Sequence, residues 1–353
     1  MSEPSLIDWT LAERVAHGVA GSGTGKRSIR LADLKRATRG SVGAVSDYTG
    51  LAPRGRAPVA EVLDRPEWIA ANLASLRAMT AGVDERLAEA LKVPGPLGSV
   101  MRRAAGAAAG VELGVASGFL AQRVLGQYDV ALVGAARPPR LLFVAPNLAD
   151  ARRRLDAERD PFLRWIALHE ATHVVQFGAV PWLRHHIGTK AQELLDGAFA
   201  GISAEALMRS ARSLLSSDPR RLIAGLREGE WMSPFLGPPQ RELMASLQAT
   251  MSVIEGYSEH VMDRIGAGIG PAYPRLREGM EARRDQRGPI EAILFRVLGL
   301  EQKMRQYREG MAFCDEVVER RGIEALNRVW AEPEALPDAA ELADPGRWIA
   351  RVA

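Results

Sequence analysis

Residues 162–177 read FLRWIALHEATHVVQF. Two histidines, His169 and His173, stand four apart, and Glu170 follows the first. On a helix, residues four apart share a face, so both imidazoles can reach one metal ion. Glu170 projects roughly 100° around the helix from His169. That places it beside the pair, where it can hold and deprotonate a water next to a metal. Phe162, Trp165, Ile166 and Phe177 share the histidine face, so that face points inward. Two imidazoles buried there without a third polar group would be poorly satisfied. A metal pair accounts for the pattern better than two hydrogen-bonded core histidines.

A catalytic zinc site of this kind takes three protein ligands and leaves a fourth position open. The single cysteine, Cys314, excludes a thiolate cluster and an intrachain disulfide. His17, His185, His186 and His260 remain. His185-His186 lies past Pro181, in a run that reads as a simple helix start. Residues 253–263, VIEGYSEHVMD, are a better source. On a helix, Ile254, Tyr257, Val261 and Ile265 form an apolar stripe, and Glu255, Glu259 and Asp263 form an acidic one. Three acids in a row repel one another unless they are solvated or face a cation. A solvated face is the plain alternative, but beside the His-Glu-x-x-His helix a carboxylate can complete a His-His-Glu set. The next acid along can then hold a ligating imidazole in one tautomer. Either Glu255 is the ligand with Glu259 behind it, or Glu259 is the ligand with Asp263 behind it. A donor to the developing oxyanion is also needed. Tyr257, His260 and Tyr307 are candidates, and Tyr128 and Arg284 are weaker ones. Tyr257 lies on the apolar stripe, where packing in the core is the alternative.

The elements that must position these groups are mostly helical. Apolar periodicity predicts helices over 5–19, 31–51, 64–79, 83–91, 97–125, 160–178, 241–265, 289–298, 302–320 and 323–330. Breaks are expected near 217–219 and 237–239. Residues 140–145, RLLFVA between Pro138-Pro139 and Pro146-Asn147, are the best strand candidate, placed to align an extended peptide as an edge strand. In 97–125, Gly106, Gly110, Gly114 and Gly118 recur every four residues. Each costs about 1 kcal/mol against alanine in a helix interior, so close backbone packing must offset them. A membrane dimer motif has the same spacing, but Glu112 and the short apolar length favour a buried helix.

Composition bounds the rest. The 353 residues are 47% apolar and 25% charged, with net charge +3 and an isoelectric point near 9.2. That is a globular chain, with charges nearly balanced and no strong pull toward nucleic acid or membrane. No Gly-rich loop stands between a strand and a helix, which disfavours a nucleotide-binding enzyme. The N-terminus has no signal-peptide pattern, so a cytoplasmic location is expected. No linker divides the chain. One domain, 1–353, is expected, with a helical part over 1–135, a part over 136–270 holding strand, His-Glu-x-x-His helix and acidic helix, and a helical part over 271–353.

HEATH followed at a distance by a Glu-Gly helix resembles the gluzincin class of zinc metallopeptidases. That resemblance implies Glu255 as third ligand, because Gly256 follows it, with Glu259 as its partner. The alternative alignment reads Glu259 and Asp263 as the family's Glu-x-x-x-Asp. The segments DRPEWIAAN, LGQYD, HEATHVVQFGAVPWL, EGYSEHVMD, KMRQYREGMAFCDEV and DPGRWIARV together resemble a zincin-like hydrolase family of actinobacteria. One branch is named for association with deazaflavin-coenzyme biosynthesis genes; that name rests on gene neighbourhood and implies no substrate. The resemblance implies a mainly α, zincin-like metallopeptidase fold with a small β element. It also implies a large helical insertion, since 82 residues separate His173 from Glu255. The expected activity is zinc-dependent (Zn2+) hydrolysis of a peptide, with Glu170 as general base. The alternatives are a metal-binding protein without peptidase turnover, or an amidase acting on a small molecule.

Overall fold

A computed structural model describes residues 7–21, 23, 29–90, 96–132, 137–200, 237–285 and 300–352, without the side chains of 83–90, 96–99, 101–102, 198–200, 283–285 and 300–307. The order is α1 (Trp9–Ala20), α2 (Leu31–Thr49), β1 (Val59–Leu63), α3 (Arg65–Ala90), α4 (Pro96–Ala121), β2 (Gly126–Asp129), β3 (Arg140–Val144), α5 (Ala145–Arg154), α6 (Arg159–Ala179), α7 (Pro181–Ala200), α8 (Pro238–Ile265), α9 (Tyr273–Asp285) and α10 (Leu300–Arg321). Short helical turns follow, ending in Ala339–Ala343 and Pro345–Val352. The protein is mostly helical, with one small sheet.

The sheet has order β1-β3-β2, with β1 parallel and β2 antiparallel to β3. Leu141, Leu142, Phe143 and Val144 of β3 are buried. The expected strand is therefore present but central, and β2 takes the edge position. Pro146 and Asn147, expected only to close the strand, lie in the first turn of α5, with proline where its missing N–H is harmless. Residues 64–91, expected as two helical pieces, run as the single helix α3 to Ala90. The expected helix over 289–298 and the break at 217–219 lie outside the described residues. Gly237 is the N-cap of α8 and Pro238 begins it.

The glycine stripe of α4 meets α1. A Cβ at Gly110, Gly114 or Gly118 would stand 2.5–2.6 Å from the carbonyl oxygens of Asp8, Ala12 and Ala16 respectively. The two backbones therefore touch, and the packing lost by any side chain there outweighs the propensity lost to glycine. Among the described residues, the stretch Arg103–Ala121 is long and apolar enough to cross a membrane by length and composition. Its glycine face is the one closed against α1.

The main core lies between α2, α6, α8, α10 and the sheet. Phe162, Ile166, Val175, Val253, Tyr257, Val261 and Phe313 are all buried in it. This is what holds α6 and α8 rigidly side by side. Gln176 of α6 donates to the carbonyl of Ile254 on α8 at 2.9 Å, one residue before Glu255.

Candidate metal centre

His169 and His173 project from α6 with rings edge to face, their centroids 4.9 Å apart. From α8, Glu255 Oε2 stands 3.9 Å from His169 Nε2 and 3.7 Å from His173 Nε2. The three groups offer donor atoms that all lie within 4.8 Å of one another. Glu255 Oε2 is buried and has no hydrogen-bond donor among the described residues. A carboxylate oxygen in that condition is unstable unless something positive faces it.

The other ring nitrogens are engaged. His169 Nδ1 is 3.1 Å from Ser258 Oγ, and His173 Nδ1 is 2.9 Å from Gln176 Oε1. Gln176 thus ties His173 to the segment that carries Glu255. Bonds of this kind fix imidazole orientation and leave Nε2 to face the shared point. Sequence reasoning assigned this role to Glu259 and Asp263 and missed both Ser258 and Gln176. The missed signal was spacing, since Gln176 is three residues after His173 and Ser258 is three after Glu255.

Glu259 and Asp263 turn instead to Arg277 of α9. Glu259 is 2% exposed and pairs with the Arg277 guanidinium. Asp263 lies 3.2 Å from Arg277 Nε and accepts from Tyr273 Oη at 2.7 Å. Burial alone would lower the Arg277 pKa, but Glu259, Asp263 and Glu281 hold it above the usual arginine value.

Glu170 is 5% exposed. Burial, and then the neighbouring Glu255, push its pKa up to about 8, against a backbone hydrogen bond from Tyr128. Its Oε2 has no hydrogen-bond partner among the described residues. Gly126 on β2 is what admits it, because a Cβ there would lie 2.5 Å from Glu170 Oε1. In the β2–β3 pair the Val144 amide donates to the Leu125 carbonyl. The antiparallel alternation then turns the backbone groups of Gly126 and Tyr128 away from β3, toward the open edge.

These residues line one cleft of about 820 Å³. Helix α3 forms one wall with Asn72, Ser75 and Met79, and β2 with its continuation to Leu132 forms another. Phe177, Ile187, Met251 and Ile254 close it. Tyr128 lines it too, its ring 5.7 Å from Phe177 and its phenol raised by burial to about 12, so it keeps its proton.

Tyr257, first among the expected oxyanion donors, lies in the core and does not line this cleft. It is fully buried, its hydroxyl donates to Asn327 Oδ1 at 2.7 Å, and its ring stands edge-on to Trp330. His260 is likewise buried, between Tyr48 at 2.8 Å and Asp315 at 2.5 Å. His186 stands edge-on to Trp182 on α7. The side chains of Tyr307 and Arg284 lie outside the described residues. Gly256 serves packing, since a Cβ there would meet the Gly310 backbone of α10 at 2.1 Å.

The profile of the zincin-like metallopeptidase family matches residues 7–349. A crystal structure from Chloroflexus aurantiacus, described as a "putative hydrolase with a novel fold", is 31% identical and superposes with a TM-score of 0.67 over 98% of each chain. No curated protein matches.

Proposed function

Because this chain belongs to the zincin-like metallopeptidase family, we propose that it is a zinc-dependent hydrolase that cleaves an amide bond in a peptide or peptide-like molecule. The observation that carries this is the convergence of His169, His173 and Glu255, with Glu255 Oε2 buried and without a hydrogen-bond donor among the described residues. The donor set fits zinc. Two imidazoles and a carboxylate are a ligand set of catalytic zinc, and bonds of about 2.0–2.1 Å would space tetrahedral donors about 3.3 Å apart. The separations of 3.7 and 3.9 Å are close to that. His169, His173 and Glu255 would hold the ion, which would supply Lewis acidity toward a carbonyl and toward water.

The remaining work falls to the chain's own groups. With a cation answering Glu255, Glu170 would be held ionised, and it takes a proton from the attacking water at Oε2 and passes it to the leaving nitrogen. The Tyr128 amide, bonded to the Glu170 carboxylate, fixes its aim. Tyr128 supplies the cleft with a protonated phenolic donor for charge developing on the carbonyl oxygen. The outer edge of β2, rather than β3, is the strand edge that flanks an extended peptide, with the Tyr128 amide already given to Glu170.

Protein purified without added zinc should carry about one zinc per chain by elemental analysis, and His173→Ala should carry almost none. Hydrolysis of a peptide library should follow the metal and stop with a chelator or a hydroxamate. Glu170→Gln should keep the metal and lose hydrolysis. A chain that neither holds nor takes up metal would overturn the proposal. Bound zinc with no cleavage across the library would mark a metal-binding protein without turnover.

A further inference from the structure

The cleft has a second polar end. Arg137 and Arg140 line it together with His169 and Glu170. Both guanidinium groups converge on Asp129, the last residue of β2, which is 7% exposed. Arg140 Nη2 stands 2.6 Å and Arg140 Nε 3.0 Å from Asp129 Oδ2, and Arg137 Nη2 stands 3.1 Å from Oδ1. Glu61 of β1 lies 3.7 Å from Arg140 Nη1. Arg140 is therefore flanked by two acids. Arg137 shares only Asp129, and the same Nη2 reaches Ser75 Oγ at 3.2 Å. Its Nε and Nη1 have no hydrogen-bond partner among the described residues, and its side chain is 36% exposed. A guanidinium pinned through Nη2 keeps its charge and offers its Nε and Nη1 N–H groups, on separate edges, as single charge-assisted donors to a carboxylate.

The strand sets how far this guanidinium lies from the reacting end. Gly126 abuts the Glu170 carboxylate, and Asp129 holds the arginines three residues later. At about 3.4 Å per residue the two ends are roughly 10 Å apart. The opposite wall carries Ala71, Ala74 and Ala78, spaced three and four apart on one face of α3. It leaves room for a chain and presents no competing charge.

We propose that Arg137 forms an anion subsite of the cleft, so that the substrate carries a carboxylate about three extended residues from the bond presented to Glu170. Asp129, Arg140 and Ser75 hold Arg137 in place. An acidic side chain and a free C-terminal carboxylate offer the same chemistry. The subsite rests on the hydrolase reading only for which bond stands at its other end.

The probe is a set of fluorescent alanine-rich octapeptides, each with one Glu at a stepped position beside its Gln counterpart, and each with a free or an amidated C-terminus. Binding is read by anisotropy on full-length Glu170→Gln protein, with and without added zinc. One placement of the carboxylate should bind about tenfold tighter than its neutral counterpart, as a charge-assisted pair on a partly exposed arginine allows. Adding Arg137→Gln should abolish that preference and leave neutral peptides unchanged, Arg137→Lys should restore part of it, and Ser75→Ala should weaken it. Circular dichroism of each variant checks the fold. Equal binding of all Glu and Gln pairs, or a preference that survives Arg137→Gln, would overturn the subsite. An Arg137-dependent preference in a chain that takes up no zinc would sink the hydrolase reading and keep the subsite; zinc-dependent cleavage without the preference would do the reverse.

Discussion

Glu255 and Glu259 lie one turn apart on α8, and the sequence presents them almost identically. Their neighbours separate them. Glu259 faces Arg277, which also meets Asp263 and Glu281, so its charge is answered within the protein. Glu255 faces two imidazoles and keeps one buried oxygen without a donor among the described residues. Burial does not distinguish them, since the paired Glu259 is the more buried side chain at 2% against 13%. What distinguishes a structural carboxylate from a candidate ligand is whether its counter-cation is part of the chain.

The contrast can be broken in four ways. The largest effect should come from Glu255→Ala, which removes one of three proposed ligands. Zinc affinity should fall by well over the roughly 100-fold that marks loss of a supporting residue, while the thermal midpoint of the metal-free protein stays level or rises. Competition titration against a chelator and a melting curve measure the two halves. Glu259→Ala should do the opposite. It leaves Arg277 largely buried without its closest acid and should destabilise the fold by about 3 kcal/mol, at the low end for a broken buried pair because Asp263 and Glu281 remain. Its zinc affinity should stay within a few-fold of the parent, and a zinc-free Glu259→Ala would move the ligand register one turn along α8. Ser258→Ala, on the Glu255 side, should weaken zinc about tenfold without a large change in unfolding free energy. Asp263→Asn should be mildest, below about 1 kcal/mol in urea unfolding, because the acid is 32% exposed and screened.

The sequence made this helix pair legible for a physical reason. The i, i+4 spacing of His169 and His173, and the apolar stripe of Ile254, Tyr257 and Val261, both follow from helix geometry, and α6 and α8 run close to the expected bounds. The glycine stripe of α4 was legible in the same way. The edge strand was not. β2 is GQYD, four residues with a glycine and an aspartate, and its strand character comes from backbone pairing with β3 rather than from a side-chain pattern. Gly126 is there for the Glu170 carboxylate, and no local rule shows that. Tyr257 sat on a stripe that correctly said core, and its place against Asn327 and Trp330 follows from that stripe rather than from its hydroxyl chemistry. Gln176 was readable from its i, i+3 spacing to His173 and Ser258 from its spacing to Glu255, but which histidine Ser258 meets has no signature until the two helices are brought together.

The Asn327 amide joins distant parts of the chain. It accepts from Tyr257 and donates at 2.7 Å to the carbonyl of Thr49, at the end of α2 and 278 residues earlier. During synthesis at about 5–20 residues per second, the end of α2 leaves the ribosome roughly 15–55 s before its partner does. For that interval the carbonyl is left to water, even after α6 and then α8 have emerged to lie against α2. The molecule therefore cannot be completed from its N-terminus forward. A chain stopped short of Asn327 should lack an ordered α2 end although every residue of α2 is present.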